Sequence, residues 1–216
     1  MAGNTTIDQG HKKIMRYFEE MGGSCTKSIV SADVLCVGDG PLVKSGSLLL
    51  AISTGKVIVT EQWLLDSTRK SRFLEPSRYL PEDPDREREW GFNLADAIER
   101  GRKGLTHLLS GSTVYLTKRL QEAVTPTVAK ELSKLATVLG ADEVKKSAPS
   151  KSAAKNANNL DTLVVLGLEG DPDISKLADV KIAVYSKDLL TMAALRGKLD
   201  WWKFALSLTV KEEREC

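Results

Sequence analysis

The sequence has few of the residues on which most active sites depend. Only two histidines, His11 and His107, occur in 216 residues, and neither has a cysteine partner at metal-ligand spacing. The three cysteines form no CxxC pair. No serine, cysteine or threonine stands in a recognisable pattern with a histidine base. The sequence therefore predicts a protein that is not an enzyme and that uses neither a metal nor a cofactor.

Long apolar runs and an excess of charge of one sign are absent as well. No run approaches the roughly 18 residues of a membrane helix, and no signal-peptide pattern opens the chain. Lysine and arginine total 31 against 29 acidic residues, which leaves a net charge of +2. A chain with so little net charge is not expected to wrap nucleic acid without specificity. Composition thus predicts a soluble cytoplasmic or nuclear protein without a membrane partner.

Two segments of the chain follow the same plan of helix, short β run and second helix. The first copy reads HKKIMRYFEEMGG, SADVLCVG and GKVIVTEQWLLDS, and the second reads TVAKELSKLATVLGA, DTLVVLG and VKIAVYSKDLLTMAAL. In the first copy, apolar residues recur at helical spacing before Gly22, and Thr60 stands where a helix N-cap belongs. Alternation of helices with short buried strands predicts a parallel sheet in each copy.

The segment between the copies differs in composition from both. Phe73 to Glu89 is rich in proline and charged residues, which predicts a linker without a core element. An apolar stripe that starts at Trp90 predicts a helix at the domain junction, and Ser147 to Asn159 predicts a mobile loop. We therefore expect a first domain over residues 1–75, a linker with a helix over 76–110, and a second domain over 111–210.

This pattern resembles the tandem BRCT repeat, and in particular the C-terminal pair of PTIP-like DNA-damage scaffold proteins and their fungal counterparts. The resemblance rests on the ADVLCV run, on the STGKVIVTEQWLLDS run around Trp63, and on the segment from Phe73 to Thr117. It implies an α/β fold with two domains, each a parallel four-stranded sheet flanked by helices. It also implies a non-catalytic module that reads phosphorylated serine or threonine.

By this resemblance, the phosphate is held in the first domain. The implied ligands are the hydroxyl of Thr5, the neighbouring Thr6, and Lys44 with Ser47 near the start of the second helix. A dianionic phosphate favours charge-assisted donors at a helix N-terminus, which makes this arrangement chemically reasonable. Ser45 and Lys187 are expected to line the groove that takes the rest of the peptide.

The implied partner is the phosphorylated C-terminal tail of the histone that marks DNA breaks, together with other DNA-repair proteins, in the nucleus. Two alternatives remain open. Because Thr6 and Ser47 replace the glycine and lysine usual in the family, the module could bind a repair partner without phosphate. Direct nucleic-acid binding is not expected from the net charge, but it could use a local basic surface. The basic residues of that surface are Arg69, Lys70, Arg72, Arg100, Arg102 and Lys103.

Overall fold

The structure is a computed structural model that describes residues 2–3, 9–150 and 162–206. It divides the chain into two compact units, residues 1–103 and 104–216. The first unit contains α1 (Gln9–Glu20), α2 (Gly46–Ser53), α3 (Glu61–Arg69), α4 (Pro84–Trp90), α5 (Leu94–Arg102), β1 (Ala2–Gly3), β2 (Val34–Val37) and β3 (Val57–Thr60). The second unit contains α6 (Lys118–Ala123), α7 (Pro126–Val138), α8 (Pro172–Ala178), α9 (Asp188–Arg196), α10 (Trp201–Phe204), β4 (Thr113–Leu116), β5 (Glu143–Lys145), β6 (Leu163–Gly167) and β7 (Val184–Ser186).

The sheet of the first unit is parallel, as the sequence predicts. Its strands follow the order β1-β2-β3, with Gly3 opposite Cys36 and Val37 opposite Thr60. Both faces are covered, because the central residues of β2 and of β3 are buried whichever way their side chains point. The prediction of four strands is not met here, since the described residues of this unit form three.

An aromatic cluster fills one side of the first sheet. The Trp63 ring meets Phe18 edge-on at 6.4 Å between centroids and stacks on Phe73 at 6.0 Å. Its indole N–H donates to the Leu74 carbonyl oxygen at 2.9 Å, so the polar atom of this buried ring is satisfied. The prediction that Trp63 belongs to the core is confirmed, since only 4% of it is exposed.

The stretch predicted as a linker without core elements is instead organised. A 3₁₀ turn over Pro76–Tyr79 packs on β3, and α4 begins at Pro84 after the N-cap Asp83. Gly91, with φ of 66°, ends α4 in the left-handed conformation, so the stripe is divided: Trp90 ends α4, Phe92 lies in the connection, and the apolar residues from Leu94 onward lie on α5. The expectation failed because capping residues, not apolar periodicity, mark the start of α4.

Close backbone packing joins α5 to α2 within the first unit. A Cβ added to Gly101 would lie 2.0 Å from the Ile52 carbonyl oxygen, so only glycine fits at this crossing. Leu94, Ala97 and Ile98 bury the apolar face of α5. The predicted apolar stripe is therefore part of a core.

The second unit has the predicted four parallel strands, in the order β5-β4-β6-β7. Edge strand β5 was not predicted, because it is short and two of its three residues are charged. Leu189 of α9, at the position where the family resemblance expects tryptophan, is fully buried. The predicted mobile loop lies largely outside the described residues.

The aromatic residues after α9 form the short helix α10. Trp201 packs on the Tyr185 ring at 5.1 Å between centroids, whereas Trp202 is 36% exposed. Two adjacent tryptophans thus face different surroundings, as expected for neighbouring residues.

Candidate functional site

The carboxyl end of β2 opens into a cavity of about 200 Å³ in the first unit. Ligands of open parallel sheets commonly bind outside this end of the strands. The cavity is lined by the end of β2, the loop that follows it, and the first turn of α2. The lining residues are Leu35, Val37, Gly38, Asp39, Gly40, Pro41, Leu42, Val43, Ser45, Ser47 and Leu48.

The first turn of α2 borders this cavity. Ser45 is the N-cap in extended conformation, and its Oγ accepts from the Leu48 N–H at 3.2 Å. The N–H groups of Gly46 and Ser47 belong to the first helical turn, which has no intrahelical acceptor. The partial positive charge of the helix N-terminus adds to these donors. The local geometry therefore favours an anion.

Lys44 lies immediately before the N-cap and is exposed. Its Nζ stands 4.8 Å from the centroid of the Trp90 ring. No described carboxylate forms an ion pair with Lys44, so its positive charge is not neutralised by a described side chain. Ser47 lines the cavity and is half-buried. The structure thus brings Lys44, Ser45 and Ser47 together at one helix end.

One acidic side chain also lines the cavity. Asp39 is exposed in the loop after β2, between Gly38 and Gly40, and the latter has φ of 126°. A φ in this range is accessible to glycine and strained for other residues. An anion in the cavity would have to sit on the α2 side, away from the Asp39 carboxylate.

The loop that carries these groups is tied to α4 by Asp83. One carboxylate oxygen accepts from the Leu42 N–H at 2.8 Å, and the other accepts from the Arg86 N–H at 3.0 Å. Hydrogen bonds from the backbone of Arg86 and of Leu42 hold the pKa of Asp83 below its ordinary value. Sequence reasoning missed Asp83, although Asp followed by Pro is a helix-start signal.

Thr5 and Thr6, the predicted hydroxyl ligands, lie outside the described residues. The described part of β1 ends at Gly3, which lies opposite Cys36. The residue after Cys36 in β2, Val37, lines the cavity. Lys187, the predicted groove residue of the second unit, stands at the N-cap position of α9. Its Nζ pairs with the Asp188 carboxylate at 2.9 Å.

The predicted basic surface is partly neutralised. Arg69 pairs with Asp66 at 3.3 Å. Glu99 forms ion pairs with Arg102 at 3.0 Å and with Lys103 at 3.5 Å. These contacts reduce the local excess of positive charge on which a nucleic-acid surface would depend.

A larger cavity of about 530 Å³ lies beside β3 in the same unit. Its lining includes the carboxylates of Glu75, Asp96 and Glu99, with Arg102 as the single cation among the described lining residues. Because Arg102 already pairs with Glu99, this cavity disfavours an anion. The smaller cavity is the better candidate for phosphate.

The corresponding edge of the second sheet is built differently. There the helix after β6, α8, is capped by Asp171, whose Oδ1 accepts from the Asp173 N–H at 3.0 Å. Asp171 is only 3% exposed, and its Oδ2 has no hydrogen-bond partner among the described residues. This Oδ2 lies 3.3 Å from the position of a Cβ built on Gly167. A carboxylate therefore occupies the helix end that is neutral in the first unit.

Across residues 2–3, 9–150 and 162–206, no group of three or more His, Cys, Asp or Glu could hold a metal ion. None of the helices described is both long and apolar enough to cross a membrane.

Two curated relatives share sequence with this chain. The DNA damage response protein Mdb1 of Schizosaccharomyces pombe is 24% identical over 196 residues, which cover 90% of this chain and 29% of Mdb1. The human Mediator of DNA damage checkpoint protein 1 is 33% identical over 101 residues, which cover 47% of this chain and 5% of that protein. The chain thus spans less than a third of either relative. No protein-family model matches it.

Two solved structures have the same fold. The BRCT5-BRCT6 domains of S. pombe Brc1 superpose with a TM-score of 0.71 at 21% identity, covering 92% of each chain. Rtt107p in complex with phosphorylated histone H2A superposes with a TM-score of 0.58 at 9% identity, covering 93% of this chain and 87% of the other.

The fold and these likenesses define an α/β module of two BRCT domains in tandem. The chain has the fold of a tandem BRCT repeat, and its homologues are BRCT-containing DNA damage proteins. The predicted resemblance and fold class are confirmed. Tandem BRCT domains are typically interaction modules without enzymatic activity.

Proposed function

We propose that this chain binds a phosphorylated serine or threonine of another protein, with the phosphate held at the N-terminus of α2. The observation that carries the proposal is the cavity at the end of β2. Its wall includes Ser45 and Ser47 at the start of α2, and Lys44 directly precedes this helix with its ammonium over the Trp90 ring.

Phosphate chemistry fits these groups without any nucleophile or metal. A phosphate monoester carries close to two negative charges at neutral pH and offers strong acceptor oxygens. Backbone N–H groups at a helix N-terminus and a nearby ammonium are its usual partners. The Ser45 hydroxyl already caps α2, so Ser47 is the hydroxyl that we assign to the phosphate.

Thr5 and Thr6 complete the proposed site as hydroxyl and backbone donors. They follow β1, whose described residues run parallel to β2 toward the cavity. Lys187 and the exposed face of Ser45 remain the proposed contacts for the residues beyond the phosphate.

The ligand that we propose is the phosphorylated C-terminal tail of the histone that marks DNA breaks. Support comes from Rtt107p, which shares the fold and was solved with phosphorylated histone H2A, and from homologues that act in the DNA damage response. Such a module would act in the nucleus and join other repair proteins to damaged chromatin.

The test is a pair of calorimetric titrations with a phosphorylated histone H2A tail peptide and its unphosphorylated twin. We expect the phosphorylated peptide to bind at least tenfold more tightly, and Lys44→Met to remove most of that difference. Lys70→Met, which removes an exposed lysine of the same unit, is the matched control and should leave both affinities unchanged. Equal affinities of the two peptides for the wild-type protein would refute phosphate reading.

A second candidate is a phosphate-independent interaction module. The Asp39 carboxylate in the cavity wall, and a serine at position 47 in place of the family's lysine, favour it. In that case both peptides would bind alike, and Asp39→Asn would not change their ratio.

A further inference from the structure

The geometry points to Asp83 and Trp90, at the two ends of α4, as positioning residues of the phosphate site. This inference rests on the proposed function and adds to it the segment that the sequence suggested to be a linker. Neither residue is assigned a contact with the ligand. Both would act through the loop that carries Lys44.

Asp83 fixes the loop through its backbone. The carboxylate joins the Leu42 N–H to the first turn of α4, using both oxygens. A carboxylate can satisfy two donors in this way with one acceptor oxygen for each, whereas an asparagine side chain offers one oxygen only. Both hydrogen bonds, to the Leu42 N–H and to the Arg86 N–H, are therefore best satisfied when Asp83 is an ionised carboxylate.

Trp90 fixes the lysine itself. The ring is 5% exposed and is stacked against Phe92 at 5.9 Å, with 19° between the planes, so its face has a defined orientation. Lys44 Nζ lies 4.8 Å and Arg86 Cζ 5.7 Å from the ring centroid. Arg86 also pairs with Glu89, which leaves Lys44 as the cation near this ring that has no described carboxylate partner.

An aromatic ring is a suitable support for a phosphate-binding lysine. A carboxylate partner would cancel the ammonium charge, whereas the ring quadrupole attracts the cation and leaves its net charge available. Holding the flexible side chain in place before binding reduces the rotamer entropy that binding must otherwise remove.

The residue between the two ties is exposed. Leu42 and Lys44 are two positions apart, and both contact α4, Leu42 through its backbone N–H and Lys44 through its ammonium. Val43 between them is 69% exposed. The loop thus has one side fastened to α4 and one side open to solvent.

The experiment is a double-mutant cycle between Trp90→Leu and Lys44→Met, read out by affinity for the phosphorylated and unphosphorylated histone H2A tail peptides. A cation–π contact at an exposed site corresponds to about a two- to fivefold change in affinity. We expect Trp90→Leu to lower the affinity for the phosphorylated peptide by that factor, and to have no effect on this affinity when Lys44 is already methionine. Trp90→Phe keeps an aromatic face, so it should retain most of the wild-type affinity for the phosphorylated peptide.

A geometric readout accompanies the cycle. The Lys44 Hε protons should show an upfield ring-current shift in the NMR spectrum that disappears in Trp90→Leu. Asp83→Asn should weaken the phosphorylated peptide about as much as Trp90→Leu does. It keeps one of the two ties and is the second variant should Trp90→Leu fail to fold.

The outcomes separate the two claims. If the wild-type protein does not discriminate between the peptides, the proposed function fails, and the positioning role fails with it. If it does discriminate but Trp90→Leu weakens binding equally with and without Lys44, or leaves binding unchanged, the positioning role alone is overturned.

Discussion

The two units end their sheets at the same kind of helix terminus, and they cap it with different charges. In the first unit, Ser45 caps α2 with a neutral hydroxyl beside an open cavity and Lys44. In the second unit, Asp171 caps α8 with a buried carboxylate. A helix N-terminus that already holds an anion has little electrostatic attraction left for another. The phosphate site that we propose and the helix end filled by a carboxylate therefore belong to two copies of one fold.

The loops at these two edges are also held differently. The loop of the first unit is tied to α4 through Asp83 and through Trp90. In the second unit, the Arg119 guanidinium donates to the carbonyl oxygen of Gly170, the residue before the cap of α8. A cation there is bonded to the protein's own backbone, whereas Lys44 is held by a ring that accepts no hydrogen bond.

The largest expected effect is on stability, when Trp63 in the core of the first unit is replaced by the residue type found at Leu189 in the second. Trp63→Leu installs the residue type of Leu189 and leaves a void among Phe18 and Phe73. We expect a loss of about 3 kcal/mol in the free energy of unfolding, typical of large-to-small core changes. Urea denaturation measures it.

Trp63→Phe is the control, since it keeps a ring but removes the N–H bond to Leu74. Its loss should be about 1 to 2 kcal/mol. A loss below about 0.5 kcal/mol for Trp63→Leu would mean that the aromatic cluster is not the core of this unit.

The next effect tests the caps directly. Ser45→Asp transfers the cap of the second unit to the first, and aspartate caps helices as well as serine does, so stability should hardly change. The added negative charge at the helix end should weaken the phosphorylated peptide by about tenfold or more, because like charges a few ångströms apart repel. The unphosphorylated peptide should be unaffected.

Ser45→Asn, a neutral cap close in size to aspartate, should weaken binding of the phosphorylated peptide much less than Ser45→Asp does. Retained affinity in Ser45→Asp would show that the phosphate binds elsewhere.

A smaller effect is expected at the cap of the second unit. Asp171→Ala removes the side-chain acceptor for the Asp173 N–H and should cost about 1 kcal/mol of stability. Asp171→Asn keeps an acceptor and removes the buried charge, so it should be close to wild type. Thermal unfolding of both variants decides this. If Asp171→Ala were as stable as the wild type, the capping role would be wrong.

The smallest effect is a pH dependence. The folded-state pKa of Asp83 is lowered by hydrogen bonds from Arg86 and Leu42. A depressed carboxyl pKa contributes stability above its unfolded value, about 3.9, and this stability is lost as the pH falls through the folded pKa. Asp83→Asn should therefore be less stable than the wild type at pH 7, and the difference between their melting temperatures should shrink below about pH 4. If the difference in melting temperature did not change with pH, the ionised Asp83 carboxylate would not be what stabilises the loop.

The parts predicted well from sequence are those with a strong local pattern. The spacing of Phe18 and its apolar neighbours, and the short apolar run that contains Cys36, indicated helix and strand because these residues bury one face or both. The core position of Trp63 followed from the same logic. The tandem BRCT resemblance rested on these segments and is confirmed by the comparisons.

The parts that were missed depend on contacts between distant residues or on weak local signals. Helix α4 is polar except at Trp90, and only its Asp83 cap and Pro84 mark its start. Among the described strands, β5 pairs with β4 alone, so it needs few apolar residues. The contact between Lys44 and Trp90 joins residues far apart in the chain, and no local pattern predicts it. The predicted roles of Thr5 and Thr6 stay predictions.

The most direct measurement is an NMR titration of the labelled protein with the phosphorylated histone H2A tail peptide. We expect saturable shifts of the Gly46 and Ser47 amides and of the Lys44 side chain. The amides around Asp171 should not shift, and the unphosphorylated peptide should leave all these signals in place. Shifts centred on Asp171, or equal shifts with both peptides, would contradict a phosphate site at the start of α2.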